Sequence, residues 1–188
     1  MEILTKIELK LRYEEILNKI KNGAIFIHPT DTIYGLGCHA LDEKAVQKIR
    51  NLKDRPDNPF SIWVPSPDWI TKNCVIDQSG QSWLAKLPGP YTLILKLKNK
   101  NCLPKNVNCN LPAIGVRYPD HWFSNIVHDL GFPIITTSAN KANQPFMTSI
   151  ENLDHSIETG VEFMISEGEK SGRPSKIIDL IQNSVKER

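Results

Sequence analysis

Gly23-Ala-Ile-Phe-Ile-His-Pro-Thr-Asp-Thr-Ile-Tyr-Gly-Leu-Gly-Cys38 is an apolar segment that runs directly into a polar, glycine-bearing loop. The apolar part, Ala24 to Ile27, predicts a short buried strand. The loop offers hydroxyls, a carboxylate and a phenol, and Gly35 and Gly37 permit positive φ or the close approach of a ligand. A strand that delivers such a loop to the edge of an open α/β sheet is typical of a ligand site, although the same residue types also build ordinary turns.

A second polar segment, Lys53-Asp-Arg-Pro-Asp-Asn-Pro59, follows a predicted helix that Asp42 caps. Lys53 and Arg55 lie between the end of this helix and two prolines, which makes the loop stiff. An ammonium and a planar guanidinium held in this way suit a phosphate or a carboxylate. The alternative is that Lys53 only interacts favourably with the dipole at the helix C-terminus. This does not explain Arg55, which lies beyond the helix.

Two more polar clusters come directly after predicted strands. Arg117 lies near the end of the predicted strand Ala113–Pro119, and Thr137-Ser-Ala-Asn140 follows the strand Phe132–Thr136. Either cluster could be an edge residue or a turn that bonds its own backbone. Because strands and helices alternate, the class is α/β, and loops that follow several strands are expected to form one concave polar site. The segment Gly168–Pro174 is predicted to be a mobile loop that closes over a ligand.

The composition indicates an ordinary globular protein. The chain has 188 residues, so residues 1–188 are expected to form a single domain, and the net charge of +2 is too small to argue for nucleic acid. No apolar run has membrane-spanning length, and the charged start predicts no secretory leader, so we expect a cytoplasmic protein. The four cysteines are scattered without a Cys-x-x-Cys pair, which argues against zinc and for reduced thiols.

Several motifs occur in a fixed order along the chain. They are Pro29-Thr-Asp-Thr-Ile-Tyr-Gly-Leu-Gly37, Lys53-Asp-Arg-Pro56, Leu87-Pro-Gly-Pro-Tyr-Thr92, Gly115-Val-Arg-Tyr-Pro119, Ser138-Ala-Asn140 and Ser175-Lys-Ile-Ile-Asp179. Each motif alone is weak, but the ordered set resembles the YrdC-like family from about Leu17 onward. The best-known members of that family are threonylcarbamoyl-AMP synthases, and the chain resembles their short, single-domain type.

The resemblance implies a twisted, mixed α/β sheet with helices around a large, concave and positively charged cavity. It implies a nucleotidyltransferase that joins L-threonine, bicarbonate and ATP into threonylcarbamoyl-AMP and pyrophosphate. Mg²⁺ would arrive with ATP, and no protein metal site is expected. The product would supply threonylcarbamoyladenosine in tRNA through partner proteins of the transfer step, so that any contact with tRNA is expected to be indirect.

The resemblance also assigns residues to ligands. The threonine contacts would be Thr30, Arg117 and Ser175. The nucleotide contacts would be Lys53, Arg55, Ser138 and Asn140. Within these sets, Arg117 would meet the threonine carboxylate, and the Lys-x-Arg pair would hold the ATP phosphates and carry the catalytic role. The Ser-x-Asn loop would lie beside the nucleotide.

The chain departs from the family pattern most clearly in Lys53–Pro59, which we call the phosphate loop because the resemblance assigns ATP phosphates to it. Only Asp57 separates the Arg-Pro step from Asn58, where the family usually has two residues. Trp63 replaces a frequent histidine, Lys176 replaces a frequent threonine, and Arg188 is only a loose match for a family arginine. The shorter phosphate loop is therefore the point at which the chain matches the family pattern least.

Two alternatives therefore stay open. A YrdC-fold paralogue with a different nucleotide or carbamoyl task is favoured by the shortened loop and opposed by the intact motifs. A non-catalytic RNA-binding module is opposed by the small net charge and by the lack of an aromatic and basic stripe. The three functions differ in whether ATP yields AMP and pyrophosphate only when threonine and bicarbonate are both present.

Overall fold

A ten-stranded mixed sheet organises residues 1–187, which are the residues that this computed structural model describes. The strands are β1 Glu2–Leu4, β2 Phe26–His28, β3 Gly35–Gly37, β4 Ser61–Trp63, β5 Tyr91–Lys96, β6 Ala113–Arg117, β7 Ile134–Ser138, β8 Phe163–Ile165, β9 Lys176–Asp179 and β10 Ser184–Lys186. The α-helices are α1 Lys6–Leu11, α2 Tyr13–Lys21, α3 Glu43–Leu52, α4 Pro67–Asn73, α5 Gln78–Leu84, α6 Lys105–Asn108, α7 Ser124–Leu130 and α8 His155–Gly160. Short 3-10 turns cover Lys100–Cys102 and Ile150–Asn152.

The strand order across the sheet is β1-β8-β2-β3-β7-β4-β6-β5-β9-β10. The pairs β1/β8, β2/β8, β4/β6 and β5/β9 are parallel, and the other neighbours are antiparallel. The prediction of a mixed α/β sheet is therefore confirmed. Strand β7 joins the two halves, because Ser138 pairs with Gly35 on one side and Thr136 pairs with Ser61 on the other.

Alternate residues of the strands pack into two hydrophobic clusters on opposite faces of the sheet. In β7, Ile135 belongs to the cluster that α3 covers, and Ile134 belongs to the cluster that contains residues of α2 and α7. All the residues of β2 and β8 are buried. The sheet is thus covered on both faces, as the apolar runs of these strands predict.

Helix α3 begins as the sequence predicts, with Asp42 as its N-cap. The Asp42 carboxylate accepts hydrogen bonds from the backbone N–H of Lys44 at 2.9 Å and of Ala45 at 3.1 Å. Its buried face packs Val46 and Ile49 against the sheet, and the helix ends at Leu52. The cap and the apolar face together fix where the following polar loop begins.

The glycine-bearing part of the opening stretch forms a strand, which corrects its interpretation as a loop. Gly35 pairs with His28, and Gly37 pairs with Phe26. A Cβ on Gly35 would lie 2.6 Å from Cε1 of the His28 ring, and a Cβ on Gly37 would lie 3.0 Å from the carbonyl oxygen of Ile135. Neither glycine has positive φ, so both are needed for space rather than for an unusual backbone.

The remaining features concern membranes, thiols and metals. No helix within residues 1–187 is both long and apolar enough to cross a bilayer. The four cysteines are free, and burial raises the pKa of the Cys74 thiol to about 12. Within residues 1–187 no group of three or more His, Cys, Asp or Glu side chains could hold a metal ion.

We predict that Gly35→Ala lowers the free energy of unfolding by about 1–3 kcal/mol, because the new methyl group would press on the fully buried His28 ring. Urea unfolding followed by circular dichroism measures this loss. The matched control is Gly80→Ala within helix α5, where the new Cβ would meet its closest neighbour at 3.2 Å and alanine favours the helix. Equal stability of Gly35→Ala and the wild type would contradict the packing argument.

Candidate functional site

A polar cleft of about 160 Å³ lies where the residues before β3, the start of β4, β5, β6, β7 and the residues before β9 converge. Its walls include the residues Arg55, Thr92, Arg117, Ser138, Asn140 and Ser175. The structure thus brings together on one cleft most of the site residues that the sequence predicts. The polar loops that follow several strands do meet, as expected.

Arg117 lies at the end of β6, and a buried carboxylate fixes its guanidinium. Its Nη2 donates to Asp31 Oδ1 at 2.7 Å and to Thr32 Oγ1 at 3.3 Å. The side chains of Arg117 and Asp31 are only 8% and 11% exposed. Burial raises the pKa of Asp31, and the charge of Arg117 opposes this shift. Sequence reasoning gave Asp31 no such role, because its partner lies far away in the chain.

Thr30 uses its side chain within its own loop. Its hydroxyl donates to the Ile33 carbonyl at 2.7 Å and accepts a hydrogen bond from the Thr32 N–H at 3.0 Å. The residue is buried and closes the turn between β2 and β3. A direct contact between Thr30 and a ligand stays a prediction, whereas its effect on the shape of the loop is visible.

Ser175 comes immediately before β9 and lies on the cleft wall beside Thr92 of β5. The two hydroxyls are 2.7 Å apart, and both residues are buried. Strands β5 and β9 are parallel neighbours, which brings the hydroxyls together although they are distant in sequence. Sequence reasoning quoted Thr92 within a motif but assigned it no contact.

Lys53 is buried behind the cleft and holds one of its loops. The Lys53 ammonium donates to the carbonyl oxygens of Ser138 at 2.6 Å and of Asn140 at 2.5 Å, and to Asn140 Oδ1 at 3.3 Å. Burial, and to a smaller extent the charge of Arg55, lower the pKa of Lys53 to about 7. The backbone carbonyl of Lys53 also accepts a hydrogen bond from the Ala142 N–H. Lys53 therefore connects the end of α3 to the loop that follows β7.

Side-chain hydrogen bonds fix the loop after β7 internally. The Ser138 hydroxyl donates to Asn140 Oδ1 at 2.5 Å, and Asn140 Nδ2 donates to the Gln144 carbonyl at 2.5 Å. Both residues lie on the wall of the cleft and also border a smaller pocket that Lys53 and Arg55 share. The turn interpretation and the site interpretation of this loop are thus compatible.

Arg55 lies on the wall of the same cleft as Arg117. Its Nη2 donates to the Pro59 carbonyl at 2.7 Å, and its guanidinium lies 5.3 Å from the centre of the Phe60 ring. Next to it an apolar groove continues along Phe60, Ile94 and Ile177. Arg55 therefore stands between the polar cleft and an apolar extension of it.

The segment Gly168–Pro174 packs against the loop between β2 and β3. The Tyr34 hydroxyl donates to the Gly168 carbonyl at 2.6 Å and accepts a hydrogen bond from the Glu167 N–H at 2.8 Å. Lys170 Nζ donates to the Thr30 carbonyl at 2.9 Å. A Cβ on Gly172 would lie 2.1 Å from the Thr32 carbonyl oxygen, so only glycine fits there. Ordering of this segment by a ligand stays a prediction.

The residues on the cleft wall decide which chemistry it can carry out. Within residues 1–187 the wall contains two guanidiniums, several hydroxyls and an amide, and no carboxylate, histidine or thiol. Such a set binds and orients anions, but it offers neither a typical nucleophile–base pair nor a carboxylate cage for a metal ion. The class of protein is therefore a mixed α/β protein with a cleft for a small anionic ligand.

Comparison with known proteins gives the family. The model of the Sua5/YciO/YrdC family, described as telomere recombination, matches residues 18–187. The chain belongs to this family. It is 36% identical to a protein of Methanocaldococcus jannaschii, covering 97% of this chain and 86% of the relative, whose assignment as a threonylcarbamoyl-AMP synthase is provisional. It is 29% identical to the threonylcarbamoyl-AMP synthase of Vibrio campbellii, covering 92% of this chain and 96% of the relative.

A solved structure extends this similarity to the fold. The structure of Sua5 from Pyrococcus abyssi complexed with L-threonine superposes with a TM-score of 0.82 and 30% sequence identity. The match covers 98% of this chain but only 55% of that protein, so this chain spans about half of its length. The predicted resemblance and the predicted sheet around a concave cavity are confirmed.

We predict that Tyr34→Phe speeds cleavage by trypsin after Lys170. The phenol bonds both Gly168 and Glu167, so its loss should release the segment that carries the scissile bond. The rate of appearance of the cleaved chain, followed by mass spectrometry, measures this release. Tyr13→Phe is the matched control, because the Tyr13 hydroxyl donates to Asp129 elsewhere. The same cleavage rate in both variants would contradict a holding role for Tyr34.

Proposed function

We propose that this protein is an L-threonylcarbamoyladenylate synthase, which forms threonylcarbamoyl-AMP and pyrophosphate from L-threonine, bicarbonate and ATP. The observation that carries the proposal is the cleft itself, in which Arg117 and Arg55 stand on separate strands and loops around one polar space. One guanidinium suits a carboxylate, and the other suits phosphates. The names of the relatives, and the threonine bound to the archaeal neighbour, support the same activity.

Threonine would bind at the Arg117 side of the cleft. Arg117 would hold its carboxylate, and the buried salt bridge to Asp31 would keep the guanidinium in place before the substrate arrives. The hydroxyls of Ser175 and Thr92 lie on the same wall and would contact the amino acid. Thr30 would act on this pocket either directly or through the shape of its loop.

ATP would bind at the Arg55 side, with its phosphates on Arg55 and Lys53. Lys53 would act in two ways, because its ammonium already shapes the loop of Ser138 and Asn140. The longest of its three hydrogen bonds, to Asn140 Oδ1 at 3.3 Å, is the one that a phosphate oxygen would most easily replace. Ser138 and Asn140 would lie beside the nucleotide.

The reaction fits a cleft without an acid or a nucleophile. The threonine amine combines with bicarbonate to give a carbamate and water, and a carbamate oxygen then attacks the α-phosphate of ATP, so that pyrophosphate leaves. The protein would align the reactants and stabilise the charge that moves onto pyrophosphate. Mg²⁺ would neutralise phosphate charge when bound, and it would be held by ATP and water.

The proposed product has a role outside the cleft. It would supply the threonylcarbamoyl group of modified adenosine in tRNA, through partner proteins that carry out the transfer in the cytoplasm. We treat residues 1–188 as a single domain in this proposal, although Arg188 lies outside the residues that the structure describes. The paralogue and the RNA-binding module are less favoured, because the full-length bacterial relative is named for the synthase.

The experiment that tests the proposal measures pyrophosphate release by the purified protein. We expect release that requires ATP, Mg²⁺, threonine and bicarbonate together, and threonylcarbamoyl-AMP detectable by mass spectrometry. Omission of threonine serves as the control, since an ATPase or a paralogue with another substrate would still release phosphate or pyrophosphate. No threonine-dependent release would reject the synthase, and the shortened phosphate loop would then be its first explanation.

We predict that the same substitution at the two arginines separates the two substrates. Arg117→Lys should weaken threonine binding about tenfold and leave ATP binding within about twofold, because lysine loses the planar fork but keeps the charge. Arg55→Lys should do the reverse. Isothermal titration calorimetry with each substrate measures both affinities, and each variant is the control for the other. Parallel loss of both affinities in both variants would show that the arginines hold the fold and not separate substrates.

A further inference from the structure

A buried arginine in the last turn of α3, Arg50, has no role in the sequence analysis. It is only 4% exposed and lies on the face of the helix that packs against the rest of the protein. Its guanidinium lies over the Phe60 ring, 4.5 Å from the ring centre. Nothing in the proposed reaction uses it directly.

Arg50 gathers the carbonyl groups of the phosphate loop. Its Nη1 donates to the carbonyl oxygens of Arg55 at 2.8 Å, Pro56 at 3.0 Å and Asn58 at 3.1 Å. Its Nε donates to the Asn106 carbonyl at 2.6 Å, and so links the same loop to α6. A single planar guanidinium thus donates to carbonyl groups of the loop and of α6 at the same time. Its five donors in fixed directions allow this, whereas an ammonium does not.

The Arg50 guanidinium is held by hydrogen bonds. Besides the carbonyl groups above, its Nη2 donates to the Val107 carbonyl at 3.4 Å and to the Cys109 sulfur at 3.2 Å. No carboxylate within residues 1–187 forms an ion pair with it. The backbone carbonyl of Arg55 faces Arg50, while the Arg55 guanidinium lines the cleft. The hydrogen bond from Arg50 therefore determines on which side of the loop the Arg55 side chain lies.

The short loop makes this arrangement possible. Only Asp57 separates Pro56 from Asn58, and the carbonyls on both sides of it converge on one nitrogen of Arg50. A loop this short that curls around a single donor atom leaves little freedom for Arg55. Arg50, a side chain within the preceding helix, thus binds the loop at the point where it is shorter than the family pattern.

We propose that Arg50 is a positioning residue for the phosphate site: it holds the loop Arg55–Pro59 so that Arg55 faces the cleft. The proposal rests on the proposed function only in taking ATP as the ligand of this loop. Arg50 itself touches no substrate and acts through Arg55.

The test compares Arg50→Lys and Arg50→Met with the wild type. Lysine keeps a charge but replaces the fork by a point donor, and methionine removes both charge and donors at similar length. We expect ATP affinity to fall about tenfold in Arg50→Lys and further in Arg50→Met, with threonine affinity within about twofold of the wild type. Calorimetry with ATP and Mg²⁺, and separately with threonine, measures both affinities, and the thermal melting temperature reports folding.

Arg12→Lys is the matched control, because Arg12 forms ion pairs with Glu2 and Glu15 on the surface, away from the loop. It should leave both affinities unchanged. Unchanged ATP affinity in Arg50→Lys and Arg50→Met would overturn the proposal. Equal loss of ATP and threonine affinity would also overturn it, since that result indicates only a structural role.

The binding measurements do not depend on turnover, so they separate the two proposals. If the wild type binds ATP but releases no pyrophosphate with threonine, the proposed synthase activity is rejected. The proposed role of Arg50 is then still decided by the ATP affinities of its variants. If the wild type is an active synthase and Arg50→Lys keeps its KM for ATP, Arg50 is rejected alone. A wild type that does not bind ATP would reject both.

Discussion

Two buried cations at the end of α3 are held by backbone carbonyls instead of carboxylates. The Arg50 guanidinium binds the phosphate loop and α6, and the Lys53 ammonium binds the loop that follows β7. A buried charge is costly unless it is fully hydrogen-bonded, so these carbonyls must stay where they are. The position of one helix end therefore sets the position of two walls of the cleft.

This constraint explains why the cleft is built from loops and is nevertheless well defined. Arg55 and the pair Ser138 and Asn140 lie on different loops, but both loops are fixed to the same turn of α3. The helix itself starts at the Asp42 cap and packs on the sheet through its apolar face. The cap thus fixes the start of α3, core packing fixes the helix on the sheet, and the end of the helix fixes the loops that carry the site residues.

Sequence patterns predict the parts of this structure that depend on near neighbours in the chain. The Asp42 cap and the existence of β6 follow from residue type and period, although the predicted strand Ala113–Pro119 is longer than β6. The polar loops are expected to meet because they follow strands. Strand β3 was missed, because Gly35 is read as a loop residue until the His28 ring is known to fill the space beside it. The role of Arg50 does not follow from residue type either, because the sequence does not show that this side chain is buried and binds both the nearby loop and the distant Asn106 carbonyl.

The two sides of the cleft differ in net charge, and this difference matches the two proposed substrates. Arg117 is paired with the buried carboxylate of Asp31, so the threonine side combines a guanidinium with a nearby balancing charge. A zwitterionic amino acid, which carries one charge of each sign, suits such a pair.

On the other side, Arg50 forms no ion pair with a carboxylate within residues 1–187, and its charge adds to that of Arg55. Positive charge attracts a polyanion and stabilises charge that moves onto a leaving group. In the proposed reaction that leaving group is pyrophosphate, which gains negative charge as the α-phosphate is attacked. The side of the cleft that carries Arg55, with Arg50 behind it, is therefore the side where the proposed chemistry needs positive charge.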